Sequence, residues 1–358
     1  MSIPKTMKAL VAYGLNDYRL ETDFPVPEID DEQILIKVEA CGICAGDVKA
    51  QHGAAKFWGD ANQPAWVKPP FIPGHEFLGE VVAVGAKSTH GVKIGDRVAT
   101  EQIAPCGECM FCKTGRYWMC QKHDIYGFQS SVNGGMAEYV RINKTGLVYK
   151  VPKDLEMEKA ILVEPYACAK HCIDRAQITY DDVVVISGAG PLGMGMLGAA
   201  RLCNPKKLIM LDLKQDRLDK CLEFGADLVF NPAECDVVEE IRKITDGYGC
   251  DIYVEATGAP PSVIQGLNMI RKLGRFVEFS VFGSETTVDW SIIGDSKELD
   301  LLGAHLSPYC FPTVIDWIAE GKLPTAGVTS HVFPIDEWEH AFEVAGKGDG
   351  SMKVVLTL

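Results

Sequence analysis

Four cysteines lie on one short segment of the chain, and their spacing is that of a metal site. Cys106, Cys109, Cys112 and Cys120 follow the pattern C-x2-C-x2-C-x7-C within "CGECMFCKTGRYWMC", here called the four-cysteine loop. Gaps of two residues let neighbouring thiolates converge on one ion. Because four thiolates leave no open position on a tetrahedral zinc ion, such a site would be structural. Iron–sulfur ligation, disulfide pairing and buried thiols without any ligand are the alternatives for this spacing.

A second group of ligand-type residues is spread along the sequence. Cys44 lies in "CGICAGD", His75 and its neighbour Glu76 in "PGHEFLG", and Glu164 in "VEPYACAKH". A thiolate, an imidazole and one carboxylate, from Glu164 or Glu76, would hold a catalytic zinc with an open fourth position. Taken singly, the same residues are compatible with a packed thiol, a hydrogen-bonded loop histidine and a carboxylate at a helix start.

A glycine-rich turn indicates a dinucleotide site. Gly188, Gly190, Pro191, Leu192 and Gly193 form "GAGPLG", which follows the apolar segment "DVVVIS" and opens a small-residue helix. In this context the backbone approaches a pyrophosphate closely, and the helix N-terminus attracts it. Asp212 ends the next strand, where a carboxylate binds ribose hydroxyls and disfavours a 2′-phosphate, so NAD is preferred to NADP. Arg217 is expected either to reach the adenosine or to be a surface charge. A tight turn without a ligand is the alternative for the whole segment.

Composition limits the kinds of partner. The chain has 358 residues, enough for two domains, and a net charge of -14 argues against nucleic acid, because phosphate binding needs clustered positive charge. No apolar stretch approaches the roughly 20 residues of a membrane span. The first residues lack a targeting pattern, so a cytoplasmic protein without a membrane partner is expected. Thiols stay reduced in the cytoplasm, which favours a metal over a disulfide at the four-cysteine loop.

The pattern of secondary structure changes along the chain. From residue 8 to about 150, β-branched segments alternate with turns, as in "ILIKVEACGIC" and "GEVVAVG". From about 181, apolar strands alternate with helices, which predicts βαβ units on a parallel sheet. The last stretch has helices around "FPTVIDWIAEGK" and "IDEWEHAFEVAGKGDG" and ends in the strand "MKVVLTL".

Together these motifs resemble a known family. The segment "GHEFLGEVVAVGAKS" (74–88), the four-cysteine loop, "GAGPLG" and "EATG" make the whole chain similar to zinc-dependent medium-chain alcohol dehydrogenases. The resemblance is greatest to the polyol branch, which includes sorbitol and threitol dehydrogenases. It implies an α/β protein with a GroES-like β-rich catalytic domain (1–160 and 299–358), a structural zinc lobe at about 101–122, and a Rossmann doubly wound parallel-sheet domain (161–298). It also implies a homo-oligomer, by analogy a tetramer.

The resemblance assigns roles to the candidate residues. Cys44 and His75 would be the constant ligands of a catalytic zinc and Glu164 the third ligand. Glu76 would be an adjacent carboxylate that either lies beside the ligands or exchanges with the zinc-bound water. The four-cysteine loop would hold a second, structural zinc. The implied reaction passes hydride from a secondary hydroxyl of a four- to six-carbon polyol to NAD and yields a ketose. L-threonine 3-dehydrogenase, another secondary-alcohol dehydrogenase and a non-catalytic zinc-binding protein are the alternatives.

The chain departs from the family pattern beside Cys44. Relatives commonly carry Ser or Thr where this chain has Gly46, and His where it has Lys49. The usual hydroxyl relay is therefore missing, and we expect an ordered water or a substrate hydroxyl to replace it. Lys49 or His52 would be the outer proton acceptor, although Lys49 is also compatible with a solvated surface charge. Asp47 is expected to hold the Cys44 loop.

An aromatic insertion follows this region. Residues 52–71 carry Phe57, Trp58 and Trp66. These side chains would either line the substrate pocket or fix a long loop or a subunit contact.

Overall fold

The computed structural model of the chain describes residues 3–358, in which the strands and helices occur in the following order. The strands are β1 (Thr6–Gly14), β2 (Asp17–Pro25), β3 (Ile34–Ile43), β4 (Glu76–Val84), β5 (Arg97–Thr100), β6 (Tyr139–Ile142), β7 (Val148–Lys150), β8 (Val183–Ser187), β9 (Lys207–Leu211), β10 (Leu228–Phe230), β11 (Cys250–Glu255), β12 (Ile270–Glu278), β13 (Asp300–Gly303), β14 (Thr329–Pro334) and β15 (Lys353–Thr357). The helices are α1 (Ala45–Gln51), α2 (Ala55–Trp58), α3 (Met110–Lys113), α4 (Met157–Ala160), α5 (Val163–Ala176), α6 (Pro191–Leu202), α7 (Gln215–Glu223), α8 (Val237–Ile244), α9 (Pro260–Met269), α10 (Phe311–Ala319) and α11 (Trp338–Lys347). Within the same residues, no helix is both long enough and apolar enough to cross a membrane.

The first compact unit is a β-rich body. It contains the chain up to Glu164 together with Phe311–Glu320 and Thr325–Leu358. Its seven-stranded sheet has the order β14-β15-β3-β4-β5-β7, with β6 paired to β3, and β1 and β2 form a separate antiparallel hairpin. Apolar side chains of β3, β4 and β15 meet helix α11 in one core, so these elements hold a fixed geometry.

The register of three adjacent strands determines which residues meet at one end of this sheet. Strand β3 pairs with β4 antiparallel, with Gly42 opposite Glu76. Strand β15 pairs with β3 antiparallel, with Val354 opposite Ile43. The residues just after β3, at the start of β4 and at the start of β15 therefore lie at the same sheet end.

The second compact unit is a parallel α/β body. It contains Pro165–Cys310 and Gly321–Pro324. Its six parallel strands have the order β10-β9-β8-β11-β12-β13, and β8 is buried along its whole length. The strand order reverses between β8 and β11, which is where open parallel sheets bind ligands. The predicted Rossmann arrangement is confirmed.

The limits of the two units can be compared with the predicted ones at 160 and 298. The first unit runs to Glu164, within the first turn of α5. Strand β13 pairs with β12 in the parallel sheet, so the second unit continues to Cys310.

Candidate active site

Three ligand-type side chains meet at one end of the seven-stranded sheet. Cys44 follows β3, His75 precedes β4 and Glu76 begins it, so the strand register brings them together. One ligand atom from each lies within 4.8 Å of the others. His75 and Glu76 are buried and Cys44 is half-buried. Residues more than 30 positions apart in sequence thus form one donor set, as Cys44 and His75 were predicted to do.

Asp47 orients both Cys44 and His75. Cys44 is the N-cap of α1, and its backbone N–H donates to Asp47 Oδ2 at 2.9 Å. Asp47 Oδ1 lies 3.6 Å from His75 Nδ1, and the aspartate side chain is fully buried. The expectation that Asp47 holds the Cys44 loop is confirmed, and the same carboxylate also faces the ring of His75. Such carboxylate–histidine contacts fix the orientation of a metal-binding imidazole.

The charges around His75 favour its protonated form. Burial acts to lower the pKa of His75, but the negative charges of Asp47 and Cys44 outweigh it and raise this pKa well above its ordinary value. A cation is therefore electrostatically favoured at this position, whether it is a proton or a metal ion.

Lys353 is a buried cation beside Glu76 that the sequence analysis did not identify. Its Nζ lies 2.5 Å from Glu76 Oε2 and also donates to the carbonyl of Ile43 at 3.2 Å. Burial acts to lower the pKa of Lys353, but the charges of Glu76 and Cys44 outweigh it and raise this pKa. Lys353 therefore stays charged and compensates Glu76. A single lysine at the start of an apolar C-terminal strand is the only sequence signal for this role.

Glu164 and Lys49 are the other two predicted catalytic residues. Within residues 3–358, the set of donor atoms lying within 4.8 Å of one another here is Cys44, His75 and Glu76. Glu164 is buried in the first turn of α5 and lies outside this set, although its charge acts on Lys353. Lys49 is half-buried in the last turn of α1. The ligand role of Glu164 and the proton-transfer role of Lys49 stay predictions.

The donor set fits a divalent cation. Cys44 as thiolate, Asp47 and Glu76 carry three negative charges, and Lys353 carries one positive charge. With His75 neutral, as a metal-binding imidazole must be, the resulting charge of about −2 in a buried position is offset by one dication. Sulfur, nitrogen and oxygen donors in one set are typical of zinc.

Aromatic side chains pack against the donor set. The ring of Phe128 lies 5.5 Å from the ring of His75 and 5.3 Å from that of Phe57. Trp66 packs on Phe128 at 5.1 Å, so the insertion 52–71 is fixed on this cluster. A side-chain carbon at Gly46 would lie 3.7 Å from Cys44 Sγ and 3.9 Å from Phe57 Cζ. The absent side chain of Gly46 thus leaves a small space between a ligand sulfur atom and an aromatic ring.

The sulfur atoms of the four-cysteine loop also converge. Sγ of Cys112 lies 3.9 Å from that of Cys106 and 3.5 Å from that of Cys109, and all four thiols are free. Four sulfur atoms at about 2.3 Å from a tetrahedral zinc ion would be about 3.8 Å apart, which agrees with these distances. The backbone N–H of Cys106 donates a hydrogen bond to Cys120 Sγ at 3.2 Å. A donor at this sulfur atom favours its negatively charged thiolate form.

The ionisation of these thiols is uneven without a cation. The backbone N–H of Gln121 donates to Cys109 Sγ, and backbone donors lower the pKa of Cys109 to about 6. Burial raises the pKa of Cys112 to about 12. Full ionisation of four adjacent thiols therefore needs a bound cation, as a structural zinc provides.

The glycine-rich turn has the geometry of a phosphate-binding loop. Gly188 has φ +108°, and a side-chain carbon at Gly193 would lie 1.9 Å from the Gly188 carbonyl oxygen, so only glycine allows this approach of helix α6 to the turn. Gly190 caps α6, and Pro191 and Leu192 form its first turn. The free N–H groups of this helix end are available to an anion.

The predicted adenosine-side residues lie next to this turn. Asp212 Oδ2 accepts a hydrogen bond from the Ala189 N–H at 2.7 Å, and Oδ1 accepts one from the Lys214 N–H at 2.9 Å. A side-chain carbon at Gly190 would lie 3.9 Å from Arg217 Nη1. The second unit therefore brings both Asp212 and Arg217 to the turn, and their contacts with a cofactor stay predictions.

Comparison with known proteins finds families that match parts of both units. The family described as Alcohol dehydrogenase GroES-like domain matches residues 30–153, and the family described as Zinc-binding dehydrogenase matches residues 191–320. Erythritol/L-threitol dehydrogenase of Mycolicibacterium smegmatis is 49% identical over 356 residues, which cover 99% of this chain and 98% of that protein. L-threonine 3-dehydrogenase of Pyrococcus abyssi is 34% identical, covering 98% and 97%. A solved zinc-binding dehydrogenase of Sinorhizobium meliloti 1021, bound to NADP, has a TM-score of 0.88 and 27% identity, covering 99% of this chain and 100% of that one.

Proposed function

This chain belongs to the family of zinc-dependent alcohol and polyol dehydrogenases, and we propose that it oxidises a secondary hydroxyl of a four- to six-carbon polyol to a ketose with NAD. Family membership confirms the predicted GroES-like domain and the predicted use of zinc and a nicotinamide cofactor. The observation that carries the proposal is the buried donor set of Cys44, His75 and Glu76. It occurs in a chain that is 49% identical to an erythritol/L-threitol dehydrogenase.

The protein residues prepare this site for a catalytic zinc. Cys44 and His75, with Glu76 or Glu164, would hold the ion, which supplies the positive charge that lowers the pKa of a substrate hydroxyl. Asp47 faces Nδ1 of His75 and so leaves Nε2 for the metal. Loss of the catalytic metal in E76Q but not in E164Q would identify Glu76 as the third ligand, and the reverse result would identify Glu164. The four-cysteine loop would hold the second, structural zinc.

A route for the hydroxyl proton passes the space at Gly46. Because no side chain fills this space, a water molecule or a neighbouring hydroxyl of the substrate can accept the proton there. Lys49 and His52, in the last turn and at the C-terminal cap of α1, are the proposed outer acceptors. The aromatic cluster beside His75 keeps bulk water away from this side of the donor set.

The second unit is proposed to bind NAD at the carboxyl ends of β8 and β9. The α6 N-terminus at Gly188, Gly190 and Gly193 would bind the pyrophosphate, and Asp212 would bind the ribose hydroxyls. The nicotinamide ring accepts the hydride. Asp212 would repel a 2′-phosphate, whereas the Sinorhizobium relative is bound to NADP, so the preference of this chain has to be measured directly.

We also propose a cytoplasmic homotetramer. All 13 cysteines are free, as expected in a reducing compartment. The tetramer rests on the family resemblance.

The test is NADH formation by zinc-loaded protein on a panel of polyols, L-threonine and simple secondary alcohols, before and after chelation. Chelator-sensitive activity on one stereochemical series of polyols is the expected result. Turnover of L-threonine without turnover of any polyol would contradict the proposed substrate class and favour the reaction named for the Pyrococcus abyssi relative. Failure to bind a nicotinamide cofactor would favour a non-catalytic zinc protein.

A further inference from the structure

Glu255 is a fully buried carboxylate at the carboxyl end of β11. Within residues 3–358, the hydrogen bonds of its side chain all go to the turn that follows, residues 256–258, here called the β11 turn. Its Oε1 accepts the N–H of Thr257 at 2.9 Å, and its Oε2 accepts the N–H of Gly258 at 3.1 Å. The hydroxyl of Thr257 also donates to Oε1. One carboxylate therefore holds both backbone N–H groups and the side chain of this turn.

The β11 turn lies against the glycine-rich turn. A side-chain carbon at Gly188 would lie 2.9 Å from the carbonyl oxygen of Ala256 and 3.2 Å from Cγ2 of Thr257. The N–H of Ala256 donates to the carbonyl of Ser187 at 2.9 Å. Strands β8 and β11 are neighbours at the point where the strand order of the sheet reverses, which is where open parallel sheets bind ligands. The β11 turn therefore borders the place at which we propose that the dinucleotide binds.

A separate network of buried hydroxyls fixes the elements around this turn. The hydroxyl of Tyr253, on β11, donates to the carbonyl of Ser262, in α9, at 2.9 Å. The hydroxyl of Ser262 donates to that of Ser187, at the end of β8, at 2.9 Å. All three side chains are buried. This network connects β8, β11 and α9 without Glu255, so the carboxylate is needed for the conformation of the β11 turn and not for the sheet around it.

The charge of Glu255 suits this turn. A buried carboxylate is costly without hydrogen bonds, and hydrogen bonds to an ionised acceptor are stronger than those between neutral groups. Both carboxylate oxygens accept here. A glutamine has nearly the same shape but only one acceptor oxygen, and its NH₂ group cannot accept from a backbone N–H. Replacing Glu255 by Gln should therefore leave at least one N–H of the turn without an acceptor.

We propose that Glu255 is a positioning residue of the dinucleotide site, which holds the β11 turn against the glycine-rich turn and so keeps the cofactor cleft in its binding conformation. The inference rests on the NAD binding proposed above. Because Glu255 is covered by protein, it acts through the β11 turn and not by contact with the cofactor. A binding surface that is ordered in advance avoids the entropy cost of ordering it on binding, so loss of this carboxylate should weaken binding of the cofactor.

The test is the dissociation constant for NADH, measured by NADH fluorescence on zinc-loaded protein. In E255Q it should rise about tenfold. Asp251 provides the matched control, because this carboxylate begins the same strand and accepts from the N–H of Val183 and from Arg271 at the opposite end of the sheet. D251N should change the dissociation constant by no more than about twofold, and both variants should keep the zinc content of the wild type.

Hydrogen exchange of the cofactor-free protein reports on the turn itself. Peptides covering residues 256–259 should exchange faster in E255Q and not in D251N, because only E255Q removes acceptors of these N–H groups. T257V removes one donor to Glu255 while keeping the shape of the side chain, so it should raise the dissociation constant for NADH about threefold and provides the test if E255Q does not fold.

The possible results separate the inference from the proposed function. NADH affinity that is unchanged in E255Q and T257V, or an equal loss in D251N, would overturn the role of Glu255 while leaving the NAD site in place. A wild-type protein that does not bind NADH would overturn the proposed NAD site itself, and the inference with it.

Discussion

Glu101 is a buried carboxylate whose ionisation should make the stability of the first unit pH-dependent. It follows β5 and is 1% exposed. The hydroxyls of Tyr117, in the four-cysteine loop, and Tyr149, in β7, donate to its Oε1 at 2.9 and 2.8 Å. Burial raises the pKa of Glu101 to about 7, although both hydrogen bonds act to lower it. Burial thus destabilises the ionised form of Glu101 more than the hydrogen bonds from the two tyrosine hydroxyls stabilise it.

The sign and size of the effect follow from linkage. In the unfolded chain Glu101 has an ordinary pKa of 4.5, so as pH rises the unfolded state loses this proton first. The stability contributed by the protonated form is full below pH 4.5 and is lost as pH rises through about 7. The difference of about 2.5 pKa units corresponds to roughly 3 kcal/mol. E101Q cannot ionise, so relative to wild type it should gain between about 2 and 3 kcal/mol as pH rises from about 5 to about 8.

The assay is urea unfolding of zinc-loaded wild type and E101Q across this pH range, followed by tryptophan fluorescence. Glu108, an exposed carboxylate of the four-cysteine loop, provides the control, and E108Q should differ from wild type by a small amount that is the same at every pH. Y149F removes one donor to the charged form, so it should destabilise the protein more at high pH than at low pH. A difference between E101Q and wild type that does not change with pH would refute the reasoning.

Three further predictions concern the proposed sites. K353M leaves Glu76 buried without its cation, so it should lower the free energy of unfolding by about 3–5 kcal/mol. The double variant K353M/E76Q should restore most of this loss, and urea unfolding of both variants measures it. G46S should fill the space beside Cys44 and so change substrate preference. The value of kcat/KM for a polyol, divided by that for a simple secondary alcohol, should change by about tenfold, which is about 1.4 kcal/mol. G46A is the control that measures the effect of added volume alone. Unchanged turnover and substrate preference in G46S would mean that this space does not shape the pocket. D212N should raise the ratio of kcat/KM for NADP to that for NAD by about tenfold, and an unchanged ratio would remove Asp212 from cofactor selection.

The parts of the protein that were predictable from sequence are those whose residues are close in sequence. The four-cysteine loop spans fifteen residues, and the "GAGPLG" turn is defined by the strand before it and the helix after it. In both cases the chemistry depends on backbone turns that local spacing specifies. Cys44 and His75 are further apart, and the family resemblance rather than any local pattern brought them together.

The missed residues depend on strand register. Lys353 and Glu76 are 277 positions apart and meet only because β15 pairs with β3 and β3 pairs with β4. Nothing in "MKVVLTL" shows that its lysine points into the protein, since lysine at a strand start is usually exposed. Glu101 is similar, because its two tyrosine donors come from the four-cysteine loop and from β7.

The buried carboxylates Glu76 and Asp47 show how the fold prepares the proposed metal site. Each carboxylate near the donor set already has a hydrogen-bond donor in place: Glu76 accepts from Lys353 on the last strand, and Asp47 accepts from the N–H of Cys44 at the start of its own helix. Preformed charge costs free energy in the metal-free chain, because burial penalises each ion. That cost is offset when a dication binds, since the ion then enters a site whose donors are already oriented. Lys353 therefore belongs to the proposed metal centre together with its proposed ligands, because the register of the sheet brings them to one place.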